Sequence, residues 1–265
     1  MGQAIRLIRQ NEHIMTTQPR IIAVCNQKGG VAKTSSCINL AAELAAAGHK
    51  VLLVDLDPQG HLAEGLGLSA GELKAEISQV LLREIPIGQI ILSIRDHLDL
   101  APANIRLAHV ENALFSMARR EDRLKQSLEP VKGLYDIILI DCPPSLGNLT
   151  INAFSAAAEV LIPMSVEFYS LLGVQLLLDS ITNIRIEINP DLKVAGILPT
   201  RMNRTNHATA VLAKAHEDWP DIRIFATPIP EAVAVRDSVA AGQPLREFAP
   251  SSPATKAYHI LSQEL

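Results

Sequence analysis

From residue 20 onward, short continuous apolar runs alternate with longer stretches in which apolar residues recur every three to four positions. The runs at 21–26, 51–55, 98–101, 137–141, 160–164, 194–200 and 224–227 predict strands. Most carry no polar alternation, which predicts strands covered on both faces, as in a parallel sheet. The segments 34–47, 105–128, 170–188, 208–216 and 255–265 predict helices, with Gly48 placed to end the first as a glycine C-cap. Strand and helix in alternation predict an α/β fold: a mostly parallel, twisted sheet of about seven or eight strands with helices on both faces. No internal repeat and no Pro/Gly/Ser-rich linker divides the chain, so residues 20–265 are expected to form a single domain. Residues 1–19 precede the periodic pattern and are expected to be a flexible extension; Met15 offers an alternative start. A second reading of that segment is a basic arm built on Arg6, Arg9 and Arg20.

Composition narrows the classes. Of 265 residues, 48% are apolar, enough for a large core, yet no apolar run reaches the roughly 18 residues that span a bilayer. The first twenty residues lack the apolar centre and cleavage site of a secretory signal, so a cytoplasmic location is expected. Cys25, Cys37 and Cys142 form no C-x-x-C pair, which argues against a zinc site, a cluster or a disulfide framework and predicts reduced, buried thiols. A net charge of -4 gives no global attraction for nucleic acid, so any such contact must come from a local patch.

One segment adds chemistry to the pattern. The first predicted strand runs into Gln27-Lys28-Gly29-Gly30-Val31-Ala32-Lys33-Thr34 and then a helix. A phosphate chain needs several backbone N–H groups aimed at one point, and glycines let the main chain approach while the helix N-terminus favours negative charge. Lys33 is placed to meet β- and γ-phosphates, and the Thr34 hydroxyl is the hard oxygen ligand that Mg²⁺ prefers. Against the pattern G-x-x-x-x-G-K-[ST] the segment departs twice, with Gln27 and Ala32 at the two glycine positions. Alanine at position 32 is tolerated with a negative φ and strained in a left-handed conformation.

The second strand ends in Asp55-Leu56-Asp57-Pro58-Gln59-Gly60, and four aliphatics lead into Asp141 before Cys142-Pro143-Pro144. Acids at the carboxyl ends of parallel strands stand where open α/β sheets bind ligands. A strand-end Asp alone often caps a turn; the three acids together with the glycine loop point to a magnesium–nucleotide site.

The loop resembles the deviant Walker A sequence K-G-G-x-G-K-[ST] of the ParA, MinD, nitrogenase iron protein and Mrp-like ATPases, with Ala32 as the departure. In the order QKGGVAKT, VDLDPQG, IDCPPS, the chain is similar to the ParA partition ATPases over residues 20–265. The resemblance implies a Mg-dependent ATPase that binds ATP or ADP through Lys28, Gly29, Gly30, Val31, Ala32, Lys33, Thr34 and Ser35. It implies catalytic roles for Lys28, Lys33 and Asp57. Lys28 matches the signature lysine that reaches phosphates across a homodimer, and Asp57 matches the switch residue that orients water or the metal shell. Metal ligation falls to Thr34, Asp57 and Asp141. Thr200 and Arg201 match contacts around adenine, although an ordinary strand-to-helix loop reads equally well there.

Partners implied by the resemblance are a second copy of the chain, a ParB-like stimulating adaptor and nonspecific DNA, with plasmid, chromosome or protein assembly as cargo. The family's late stretch reads like I-P-R-N-V-R-L, whereas here Glu231 and Ala234 replace the arginines. Arg223, Arg236, Arg246 and Lys256, with Lys214, are candidates for a substitute DNA patch or for an ordinary solvated surface. Two other readings stay open: a MinD-like membrane-surface regulator, for which the C-terminal ATKAYHILSQEL offers few cations, and a metabolic or cluster-carrier ATPase, for which paired cysteines are missing.

Overall fold

The computed structural model describes residues 18–203 and 205–265. Most of the expected N-terminal extension, including Arg6 and Arg9, lies outside the described residues. The strands are β1 (Arg20–Val24), β2 (Val51–Asp55), β3 (Leu92–Arg95), β4 (Leu98–Ala101), β5 (Ile137–Asp141), β6 (Glu159–Ser165) and β7 (Lys193–Thr200). The first helices are α1 (Lys33–Ala46), α2 (His61–Gly65), α3 (Ile77–Leu81), α4 (Leu107–Leu114), α5 (Arg123–Leu128) and α6 (Asn148–Ala156). They are followed by α7 (Tyr169–Glu187), α8 (Asn206–Asp218), α9 (Val233–Ala240), α10 (Leu245–Phe248) and α11 (Pro253–Glu264).

The strands form one sheet in the order β3-β4-β2-β5-β1-β6-β7, parallel throughout except for β3. Successive side chains of a strand point to opposite faces, and here both faces are core. Leu52 and Val54 enter one cluster with Ala23, Ile138 and Ile140, while Val51 and Leu53 enter the other with Ile22, Val24 and Leu139. Helices α3 to α8 cover the first face, and α1, α2, α10 and α11 cover the second. Each fully buried Leu or Ile contributes about 1.5–3 kcal/mol by leaving water, so the continuous apolar runs dictate this three-layer solution.

The register decides where the chemistry sits. Val24 of β1 and Asp55 of β2 both lie level with Asp141 of β5. The three central strands therefore end together, and the glycine loop, the Asp55–Asp57 turn and Asp141 leave the sheet along one edge. Helix α1 ends as the sequence predicts: Gly48 takes φ 96° and donates to Ala45 O, and the His49 N–H returns to Leu44 O.

Three local expectations need correction. Residues 224–227 do not form a strand; Ile224 makes only an isolated bridge to Ile197, because Pro228 and Pro230 bring no N–H to extend a ladder. The seventh strand is Leu92–Arg95, which pairs antiparallel with β4 through a tight turn with His97 at φ 61°. The long helix predicted over 105–128 breaks into α4 and α5 around Arg119, whose φ is 52°. Asn152 holds that break from α6: its Nδ2 donates to Arg120 O at 2.8 Å and its Oδ1 accepts from Leu124 N–H at 3.0 Å.

Gly60 turns the chain from the Asp57 loop into α2 at φ 67°, and a Cβ there would stand 2.9 Å from Ala103 O and 3.0 Å from Ala70 Cβ. Gly60→Ala is expected to cost about 2 kcal/mol, from left-handed strain plus the clash with backbone. Urea denaturation measures it; an unchanged midpoint would mean that the loop relaxes without cost.

Candidate nucleotide site

Residues 25–32 leave β1 and turn into α1. Asn26, fully buried, fixes the base of this loop by donating from Nδ2 to Pro163 O at 2.7 Å while its Oδ1 accepts the Lys28 N–H at 2.9 Å. Gly30 takes φ 73°. At Gly29 and Gly30 no protein atom lies within 4 Å of where a Cβ would stand, so the main chain there is open to a ligand. No side chain caps α1, which leaves its first N–H groups directed at the loop. Thr200 closes the loop from β7: fully buried, its hydroxyl donates to Val31 O at 3.0 Å.

Ala32 has φ 66° and ψ 30°. The position thus requires the left-handed conformation that glycine adopts freely and in which an alanine Cβ costs about 1–2 kcal/mol. The alanine is a strained substitute.

Lys33, 7% exposed, lies back along the loop and donates from Nζ to Lys28 O at 3.2 Å. Thr34 Oγ1 donates to Asp141 Oδ2 at 2.6 Å. Asp141 is fully buried and its other oxygen, Oδ1, has no hydrogen-bond partner. Burial pushes the Asp141 carboxyl up to about 7, against the hydrogen bond from Thr34 and the charge of Lys33, and the charge of Asp57 adds to the rise. Asp55 is raised as well, by burial first and then by Asp141. Its oxygens are nonetheless used: Oδ1 accepts the Asp57 N–H at 2.9 Å and Oδ2 the Leu62 N–H at 3.3 Å. Asp55 thereby shapes the turn that presents Asp57, whose own Oδ1 accepts the Gln59 N–H at 3.0 Å.

Lys28 points away from Lys33. Its ammonium pairs with Glu167 and donates to Ser170 Oγ at 3.2 Å, and that pairing holds the Glu167 carboxyl below the usual range. Sequence reasoning passed over Asn26, Glu167 and Ser170. Glu167 follows the end of β6, the parallel neighbour of β1, so the strand-end rule that located Asp57 and Asp141 also reaches it.

These residues meet the needs of magnesium and a nucleotide. A buried carboxylate oxygen without a partner costs about 1–3 kcal/mol, and Asp141 Oδ1 beside the Thr34 hydroxyl offers a hard cation two oxygens on a site that also carries the Lys33 charge. A model of the AAA domain matches residues 19–194. Bacillus subtilis Soj, a sporulation initiation inhibitor protein, is 40% identical over 93% of this chain and 98% of its own length. The chromosome partitioning protein ParA of Myxococcus xanthus is 39% identical over 97% of this chain and 91% of its own. The chain belongs to the ParA/Soj family. It is an ATPase, with ATP or ADP and magnesium as cofactors. Among solved structures, the cobyrinic acid a,c-diamide synthase of Mycobacterium smegmatis with bound ADP and magnesium superposes with a TM-score of 0.83 at 36% identity, covering 92% of this chain and 93% of that one.

The remaining ParA-like candidates separate. Arg201, exposed at φ 52°, is paired with Glu231 at 3.1 Å and reaches Gly30 O at 3.5 Å, so it touches the loop whereas Thr200 is spent inside it. Of the basic candidates, Arg223 pairs with Glu264 and stacks over Phe225, Arg246 binds Ala42 O and Glu43, and Lys214 pairs with Asp218 at 2.8 Å. Arg236 and Lys256 are exposed.

Replacing the strained residue gives a direct check. Ala32→Gly is expected to stabilise the nucleotide-free protein by about 1 kcal/mol, the relieved strain less the larger chain entropy of glycine. A urea midpoint below that of the parent would show that the Ala32 methyl contributes more by packing than it costs in φ.

Proposed function

We propose that residues 20–265 act as one nucleotide-switched ATPase domain: loaded with Mg-ATP, the chain pairs with a second copy, binds DNA without sequence preference and positions a plasmid, chromosome or protein cargo. A ParB-like adaptor resets it by stimulating hydrolysis, on the cytoplasmic nucleoid. The observation that carries this reading is the convergence of Lys33, Thr34, Asp57 and Asp141 on the glycine loop at the level ends of β1, β2 and β5.

The backbone of residues 28–35 cradles the phosphates, and Lys33 leaves the Lys28 carbonyl to meet their charge. Thr34 and Asp141 would hold magnesium, which when bound would compensate charge on the phosphate oxygens. Asp57, at the mouth of the same site, orients water; a carboxylate beside a cation is a weak base, so its part is positioning. Lys28 serves a phosphate chain bound to the other copy and gives up Glu167 and Ser170 to reach it. Arg201 supports the loop near the base. For DNA, Arg236 and Lys256 are exposed, and pairing two copies doubles the number of such cations. Arg223 and Arg246 add charge to that surface only by leaving their acids. A membrane-surface reading is disfavoured because Tyr258 and Leu261 bury the apolar face of α11 against the core.

Lys33→Ala is expected to abolish ATP binding, measured by titration with a fluorescent ATP analogue. Asp57→Ala should bind ATP, accumulate a dimer on size-exclusion chromatography and turn over at least tenfold slower; normal turnover removes its assigned part. DNA binding is tested by titrating duplex DNA with ATP, ADP and no nucleotide across salt concentrations. ATP-dependent binding that weakens with salt is the expected result, and none at low salt removes the DNA step.

A further inference from the structure

Helices α1, α10 and α11 lie side by side over the second face of the sheet, and between them a cavity of about 480 Å³ opens to solvent. Small-molecule pockets usually measure about 300–1,000 Å³. Glu43, Arg246, Lys256 and His259 line it with polar groups, and Pro250 and Ile260 give it an apolar wall. The nucleotide loop is elsewhere: Glu43 follows Lys33 by ten residues of the same helix, about 15 Å along its axis.

Glu43 is the fixed point of this cavity. It is only 7% exposed, and a carboxylate so placed is costly unless its charge is met. Two bases meet it at Oε2: Arg246 Nη1 donates at 3.3 Å, and also to Ala42 O at 3.1 Å, while His259 Nδ1 lies 3.0 Å away. A carboxylate only accepts, so His259 gives its Nδ1 hydrogen to Glu43, and its Nε2 is left to accept from Gln263 Nε2 at 3.2 Å. Both imidazole nitrogens are thus used within the protein. Arg246 is used by one nitrogen alone; its Nε and Nη2 have no partner among the described residues. Lys256, on the first turn of α11, is exposed and makes no ion pair among the described residues.

The cavity therefore carries two cations against one acid, and that acid is already engaged. A guanidinium anchored at one corner presents a rigid fork that grips two oxygens of an oxyanion, and an ammonium on a flexible stem reaches a third. Three terminal oxygens belong to a phosphate monoester and not to a carboxylate. The dipole of α11 favours negative charge at the turn that bears Lys256. Ile260, 44% exposed, and Pro250 offer an apolar surface to the organic body of such a ligand. A recess of this size takes one phosphate with its body rather than the close row of phosphates along a duplex. We propose that the cavity between α1, α10 and α11 is a second anion site, separate from the nucleotide loop, in which Arg246 and Lys256 bind the phosphate of a small organic phosphate while Glu43 and His259 position the guanidinium.

Isothermal titration of phenyl phosphate into the Mg-ADP-loaded protein, whose nucleotide loop is filled, tests this, with inorganic phosphate, benzoate and a short DNA duplex as comparison titrants. Saturable binding is expected, tighter for phenyl phosphate than for inorganic phosphate or benzoate, and weakened roughly tenfold or more in Arg246→Gln and in Lys256→Gln. Lys256→Gln alters an exposed side chain, and an unchanged circular dichroism spectrum separates lost binding from a lost fold. Lys33→Ala, titrated without nucleotide, should bind phenyl phosphate as tightly as the loaded wild type. Binding that survives both Arg246→Gln and Lys256→Gln, or that is lost in Lys33→Ala, overturns the assignment, the latter by placing the phosphate in the nucleotide loop. The absence of saturable binding at millimolar concentrations also overturns it, and benzoate that binds as tightly as phenyl phosphate overturns the choice of a phosphate. A duplex that displaces phenyl phosphate would give the cavity to DNA and equally overturn the proposal.

Discussion

The hydrogen bond from Thr34 to Asp141 is the contact around which the site is organised. It joins the first turn of α1 to the tip of β5, two elements far apart in sequence, and it satisfies one oxygen of the fully buried Asp141. It holds because β1, β2 and β5 end level, with Val24 and Asp55 both beside Asp141. The second oxygen of Asp141 stays without a hydrogen-bond partner in the protein, so the fold carries a local cost at the tip of β5.

Around that contact, side chains shape loops rather than fill space. Asn26 anchors one end of the glycine loop and Thr200 the other, and Asp55 gives both oxygens to backbone N–H groups of the turn that carries Asp57. Each of these polar residues is buried and satisfied, which makes the local geometry specific at little net gain in energy. Ala32 is the opposite case: the loop around it imposes a left-handed conformation that costs an alanine strain.

The α/β class, the positions of six strands and the grouping of the glycine loop with the strand-end acids were legible in the sequence because each rests on a local pattern. Apolar runs declare buried parallel strands, and glycines between a strand and a helix declare the turn that joins them. Some of what escaped depends on contacts from afar, and some on local turn signals. The break at Arg119 is held by Asn152 from another helix, and β3 exists only because a hairpin returns it to β4. Prolines at 228 and 230 outweigh the apolar run before them. The direction of Lys28 depends on Glu167, 139 residues further on, which only the strand-end rule reaches.

The Lys28–Glu167 pair is itself only partly shielded, with side chains 33% and 53% exposed. Half-exposed ion pairs are screened by dissolved ions over a Debye length of about 8–10 Å. Dissolved ions thus work on this molecule in two opposing senses. They loosen the grip that holds the lysine on Glu167, and they weaken its attraction to any phosphate it is freed to meet.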